Sequence, residues 1–215
     1  MLVDSRRGLL VSGSLLFGAG AVTLLYVSSA TRPAVQDVDD AVLRFAGAVR
    51  NGPTTAVAVV LSWLGSSLVN WPLRVAALLL LAWRRHWLGF TAFALAVLTS
   101  EVLIGTMKSA IDRPRPPGSL IATTGASFPS GHAVATAVTA VGLVLVLAPP
   151  GKRRWRWEVN AVVLTSIMAL SRVYLRAHWL SDTVAGAFLG AGLALGWPAL
   201  LMAFRHRTDP AARTS

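Results

Sequence analysis

The stretch SRVYLRAHWLSDTVAGAFLGAGLALGWPALLMAF, residues 171–204, decides how this chain folds, because it sets Arg172, His178 and Asp182 directly before a long apolar run. The run over residues 183–204 meets the roughly 20 residues that a helix needs to cross a hydrocarbon core of about 30 Å. Ionisable side chains at the mouth of such a span are costly and stand there with a partner or a task. Outward from this stretch, apolar runs of spanning length recur at residues 9–28, 55–83, 87–106, 132–147 and 159–170. The expected fold is therefore all-α: a polytopic membrane protein with six transmembrane helices, a single domain over residues 1–215.

Composition agrees. The chain is 54% hydrophobic and only 13% charged, and its mean hydropathy of +0.61 lies far from that of a soluble domain. A net charge of +11 raises nucleic acid as a partner, but the arginines collect at the ends of apolar runs and not along one face, which argues against it. With no cysteine, disulfides, a thiolate nucleophile and Cys-ligated zinc are all excluded. The first run follows Ser5-Arg6-Arg7 and resembles a secretion signal, yet it exceeds the 7 to 15 residues of such a segment, so an uncleaved first span is expected.

Lys and Arg gather at Arg6 and Arg7, at Arg84 and Arg85, at Lys152, Arg153, Arg154 and Arg156, and at Arg205, Arg207 and Arg213. Every second boundary is basic, which predicts six spans with both termini in the cytoplasm and a polar tail after about residue 205. The run over residues 55–83 is too long for a single straight span and contains Pro72 and Arg74, so one tilted or Pro-kinked helix is expected there, the alternative being a pair of short re-entrant halves that would break the charge alternation. Ahead of it, Asp37, Asp39 and Asp40 precede residues 41–49, which read as an acid-capped amphipathic helix at the interface. The glycines at 186, 190, 192 and 196 predict close helix packing within the bundle. Most of the eight tryptophans stand near span ends, as in an interfacial belt.

Three polar clusters then fall on the extracytoplasmic side. His178 and Asp182 are spaced i, i+4, so on a helix they share a face, and the carboxylate can hold the Nδ1 proton while Nε2 keeps its lone pair for an electrophile. Taken alone, the pair also fits an interfacial histidine capped by a neighbouring acid. Pro129-Ser130-Gly131-His132 opens the fourth span, where free N–H groups and the helix dipole attract phosphate. Ser130 can cap or donate, Gly131 permits close backbone approach, and His132 can protonate a leaving alkoxide. An ordinary capped helix start explains the same string. Lys108, Arg115 and Arg172 suit a phosphoryl group, while Arg113-Pro114-Arg115-Pro116-Pro117 must be a stiff extended arm. A basic loop at lipid headgroups is the other reading of that arm.

Jointly, Lys108-x6-Arg115-Pro116, Pro129-Ser130-Gly131-His132 and Ser171-Arg172-x5-His178-x3-Asp182 resemble, in order, the three-part phosphate site of the type 2 phosphatidic acid phosphatase (PAP2) family, which includes vanadium haloperoxidases. The resemblance covers roughly residues 63–195. It implies that His178 is a nucleophile forming a phospho-histidine, that Asp182 orients it, and that His132 is the general acid. It further implies that Lys108, Arg115, Ser130, Gly131 and Arg172 hold phosphate without a metal or other cofactor. The spare carboxylate nearest the arm in sequence is Asp112, and one ligand does not make a magnesium site.

These readings predict a membrane lipid phosphatase acting on a lipid phosphate monoester or diphosphate such as undecaprenyl diphosphate, phosphatidylglycerol phosphate or phosphatidic acid. The alternatives are a vanadate-dependent haloperoxidase-like enzyme and a non-enzymatic lipid or anion carrier. Arg74 and Glu101 lie within spans and are expected to pair across two helices, with a channel-facing Glu101 as the rival placement.

Overall fold

Short polar residues set before apolar runs start several helices in the computed structural model, which describes residues 3–151 and 153–208. Among those residues there are eight helices and no strand: α1 (Ser5–Val27), α2 (Arg32–Ala48), α3 (Gly52–Leu64), α4 (Ser67–Trp83), α5 (Trp87–Ile111), α6 (Gly131–Leu147), α7 (Arg154–Tyr174) and α8 (Leu180–Thr208). Asp4, Asn51 and Ser130 each turn a side-chain oxygen onto a backbone N–H three residues ahead, satisfying a donor that α1, α3 and α6 would otherwise leave open. α5 stops where Asp112 takes a left-handed conformation, φ 43°, just ahead of Pro114.

α8 is the axis of the bundle. Its Gly190 lies so close to α6 that an added Cβ would stand 2.5 Å from the Val134 carbonyl oxygen. On another face, Gly192 and Gly196 admit Leu16 and Ser12 of α1, and the Ser12 hydroxyl donates to the Gly192 carbonyl at 2.7 Å. Close packing of small residues is how helices associate where lipid removes any hydrophobic drive. The outward faces carry exposed Phe17, Leu68 and Leu79, apolar surface suited to acyl chains.

α1, α5 and α8 are long and apolar enough to cross a membrane, and α3 with α4 makes a fourth candidate bent by 45°. α6 is apolar but has 17 residues, and α7 carries Arg154, Arg156 and Glu158 in its first turns. The chain is thus an all-helical membrane protein with three or four candidate spans by length and composition.

Three expectations change. The second apolar run is not one helix kinked at Pro72; it breaks at Gly65 and Ser66, and Pro72 lies inside α4. At the break Gly65 packs closely, since a Cβ there would meet Met168 Cε at 2.5 Å and His132 Cδ2 at 3.0 Å. The acids at 37–40 do not cap a helix, because Pro33 starts α2 earlier and places them in its middle. Asp39 shares the inward face with Leu43 and Ala46 and is 1% exposed. Finally, α8 continues through Thr208, past the expected start of the tail; Lys152, Arg213 and residues 209–215 lie outside the described residues.

Candidate active site

Residues 112–130 fold over one end of the bundle, and Arg115 ties them down. Its guanidinium donates to the carbonyls of Thr124 at 2.8 Å, Gly125 at 2.9 Å and Ala177 at 2.8 Å. The same Nη1 stands 3.2 Å from His178 Nε2. Guanidinium is only a donor, so Nε2 accepts and the neutral imidazole carries its proton on Nδ1. Lys108, in the last turn of α5, donates to the Ala126 carbonyl.

His178 and Asp182 meet, but not on a shared helix face as expected from their spacing. α8 begins at Leu180, and His178 sits in the preceding turn, where Ala177 N–H and His178 N–H both donate to the Arg172 carbonyl at 3.0 and 3.3 Å. Asp182 reaches back from the first turn of α8 to accept the Trp179 N–H at 2.9 Å, the acid half of a capping box. This puts Asp182 Oδ2 3.5 Å from His178 Nδ1, with Ser127 Oγ 3.4 Å from the same nitrogen and donating to Oδ2. Burial, the largest influence, lowers the His178 imidazole from 6.5 to about 4. Asp182 opposes that shift, and Arg115 and Arg172 reinforce it. The ring is therefore neutral at neutral pH, with its lone pair on Nε2.

His132, one residue into α6, directs Nε2 at the Ser62 carbonyl, 3.1 Å away. That nitrogen therefore carries a proton, and Nδ1 is left for other work. The Ser62 hydroxyl accepts from Arg172 Nη1, so the end of α3 holds both groups. Ser130 is buried and serves as the N-cap of α6, while its N–H donates to the Asp182 carbonyl at 3.0 Å. The next N–H groups, of Gly131 and His132, open the helix as anion donors. Lys108, Arg115, Ser130, Gly131, His132, Arg172, His178 and Asp182 thus converge at one end of the bundle.

Beyond His132 lies a cavity of about 150 Å³ between the α3–α4 break, α5 and α6. Arg74 Nη1 and Glu101 Oε1 pair there at 2.7 Å, and Arg74 also donates to Thr139 and the Ala135 carbonyl. The expected pairing is present, and Glu101 keeps 37% of its side chain exposed beside the cavity.

Sequence reasoning missed a second layer. Arg113, read as part of a headgroup arm, is 1% exposed and donates to Asp182 Oδ1 and Asp39 Oδ2, each at 2.7 Å. The carboxylate near the arm is therefore Asp39, brought from α2, while Asp112 is an exposed C-cap. Ser62 and Ser127 were missed as well. A signal did exist for Asp39: an acid on the apolar face of an amphipathic helix requires a buried partner. Trp179 is buried, its Nε1 donating to the Pro114 carbonyl at 2.9 Å. Among the described residues, no group of three or more His, Cys, Asp or Glu stands close enough to hold a metal ion.

Two histidines, three cations and a helix start gather at one end of the helix bundle. The chain belongs to the PAP2 superfamily, whose sequence model matches residues 89–206, more than half of its length. It is 31% identical to phosphatidylglycerophosphatase B of Bacillus subtilis over 73% of this chain and 80% of that one. It is 32% identical to an undecaprenyl-diphosphatase of Sulfolobus acidocaldarius over 56% and 58%. The crystal structure of a transmembrane PAP2 type phosphatidylglycerolphosphate phosphatase from Bacillus subtilis superposes with a TM-score of 0.75 at 27% identity, covering 92% of this chain and 97% of that one. The protein is a membrane phosphatase of this superfamily.

Proposed function

We propose that the chain, as one domain with six spans, hydrolyses a lipid phosphate monoester or diphosphate at the extracytoplasmic membrane surface through a phospho-histidine at His178. In this reading α3 and α4 form a single broken span, α6 and α7 join α1, α5 and α8 as spans, and α2 lies at the interface. The alternation of basic boundaries supports cytoplasmic termini. The observation that carries the chemistry is the pairing of His178 Nε2 with Arg115 at 3.2 Å while Asp182 and Ser127 stand behind Nδ1.

An incoming phosphate takes the place of Nε2 as the partner of Arg115 Nη1, freeing the lone pair. Lys108, Arg115, Arg172 and the N–H groups at the start of α6 hold its oxygens, where charge builds up in the transition state. His178 Nε2 attacks phosphorus, and the bond from phosphorus to the leaving oxygen breaks. His132 Nδ1 takes the proton that a phosphate monoanion brings with it and hands it to that leaving oxygen, because Nε2–H is committed to Ser62. Asp182 faces the cationic ring this creates. Water then attacks phosphorus, the bond to Nε2 breaks, and the proton released by water returns to His132.

The donor set is all Lys, Arg, Ser and backbone N–H, which suits phosphate without a bridging metal. The cavity beside His132 offers a cation already neutralised by Glu101, which favours an alcohol leaving group over a second phosphate. Substrates of this chemistry include phosphatidylglycerol phosphate and phosphatidic acid, with undecaprenyl diphosphate as the diphosphate case.

The test is phosphate release by purified protein in chelator, across a panel of lipid phosphates and diphosphates. Activity on one of them, abolished in His178→Ala, is expected. Turnover by His178→Ala equal to the parent, or a strict requirement for added metal, defeats the reading.

A further inference from the structure

Arg113 is a full cation with almost no exposure, lying between the rings of Tyr26, 4.0 Å from its guanidinium carbon, and Trp179, 5.3 Å away. It touches two carboxylates, Asp182 and Asp39. Asp39 completes its own shell with Ser181 N–H at 2.8 Å and Ser181 Oγ at 2.6 Å, so every neighbour it has is a donor. Gln36 Oε1 accepts from Arg113 Nη2 at 2.8 Å.

The charge count matters here. Asp182 with Arg113 alone would be a neutral pair, and a neutral pair faces a developing imidazolium only as a dipole. Adding Asp39 leaves one uncompensated negative charge on the trio, and Asp182 Oδ2 is its end nearest His178. Low dielectric around these buried groups keeps that charge effective.

We infer that Asp39 is a positioning residue for the reaction: by neutralising Arg113 it frees the Asp182 carboxylate to stabilise the cationic ring of His178, and it fixes α2 to the first turn of α8. The inference rests on His178 being the nucleophile, as proposed above. Other charges facing His178 are Arg115 from the 112–130 segment, Arg172 from α7 and His132 from α6, while Lys108 of α5 acts on Asp182. None of these is altered by changing Asp39.

The experiment measures kcat and KM against pH for the purified full chain on a lipid phosphate, comparing Asp39→Asn, Asp39→Glu and the double variant Asp39→Asn with Arg113→Gln, alongside thermal midpoints. Asp39→Asn is expected to lower kcat on the order of 10- to 100-fold, as loss of an outer-shell partner does elsewhere, with KM within about twofold. It should also move the acid limb of kcat/KM to lower pH, because the neutral ring loses a negative neighbour that favours its protonation. Asp39→Glu should recover part of the loss. The double variant restores a net negative charge and should be faster than Asp39→Asn alone.

Packing without an electrostatic role predicts the reverse for the double variant: slower, less stable, with an unmoved limb. That result, or Asp39→Asn at parental kcat, overturns the inference. A fully active His178→Ala would instead remove the reading beneath it. If Asp39→Asn does not fold, the double variant decides alone, since a folded, active double variant fits only the charge account and an unfolded one rejects it.

Discussion

The guanidinium of Arg115 and the imidazole of His178 stand 3.2 Å apart, donor to acceptor, so in the proposed mechanism the resting site covers its nucleophile with the group that is to hold the phosphate. Substrate has to exchange one partner for another, and Arg115 acts on both the ground state and the transition state. Arg115→Ala should lower kcat/KM roughly ten- to hundredfold, the equivalent of a charge-assisted hydrogen bond. Arg115→Lys keeps the charge without the fork and should recover little of it. Steady-state kinetics on a lipid phosphate checks this, and an Arg115→Ala protein with unchanged kcat/KM contradicts it.

The pH dependence follows from the burial of His178. Its imidazole is lowered to about 4 from an ordinary 6.5, so the nucleophile stays neutral well below pH 6.5, and the acid limb of kcat/KM assigned to it belongs near 4. Between these values the unfolded chain binds the proton that the folded chain refuses. The contribution of His178 to stability is therefore complete above about 6.5 and is lost as pH falls towards 4. A pH–rate profile of the parent and thermal scans of the parent and His178→Gln measure both; an acid limb near 6.5 would show an ordinary exposed histidine.

Gly65 sets the position of His132. A methyl group there would press on Met168 and on the His132 ring at 3.0 Å. Gly65→Ala is expected to lower kcat on a lipid phosphate about tenfold, part of the roughly 10²- to 10⁴-fold that positioned proton transfer contributes. An aryl phosphate, whose leaving group needs no proton, should be spared. Equal losses on the two substrates would separate Gly65 from the proton step.

Packing of α8 on α6 depends on Gly190, where a Cβ would lie 2.5 Å from a backbone oxygen that cannot rotate away. Gly190→Ala should cost about 1–3 kcal/mol through forced separation of the helices. Unfolding in detergent reads this directly. An unchanged midpoint would mean that the two helices are looser than the structure describes.

Much of the fold could be read from the chain because membrane helices announce themselves locally: the apolar runs at 87–106, 132–147 and 183–204 fall within α5, α6 and α8. The Gly65–Ser66 break could not be read that way. Pro72 is a strong local signal for a kink, whereas the side chains packed on Gly65 at the break, Met168 and His132, come from far along the chain. For the site, the residues of the three clusters were visible since their spacing survives in one dimension. The i, i+4 argument for His178 and Asp182 reached the right pair through the wrong geometry, since a capping contact at a helix start gives the same spacing as a shared helix face.

Spacing and hydropathy alone determined that this is a helical membrane protein and which cations and histidines gather at one end of it, because lipid burial and phosphate recognition each demand particular residue types at particular intervals. Only the tertiary structure decided that Asp39 and Ser62 belong beside them, that Arg113 is buried between two acids, and that Arg115 rests on His178. Those contacts join segments up to 142 positions apart, and the energy that selects them is the cost of leaving a buried charge unpaired, which no local pattern records.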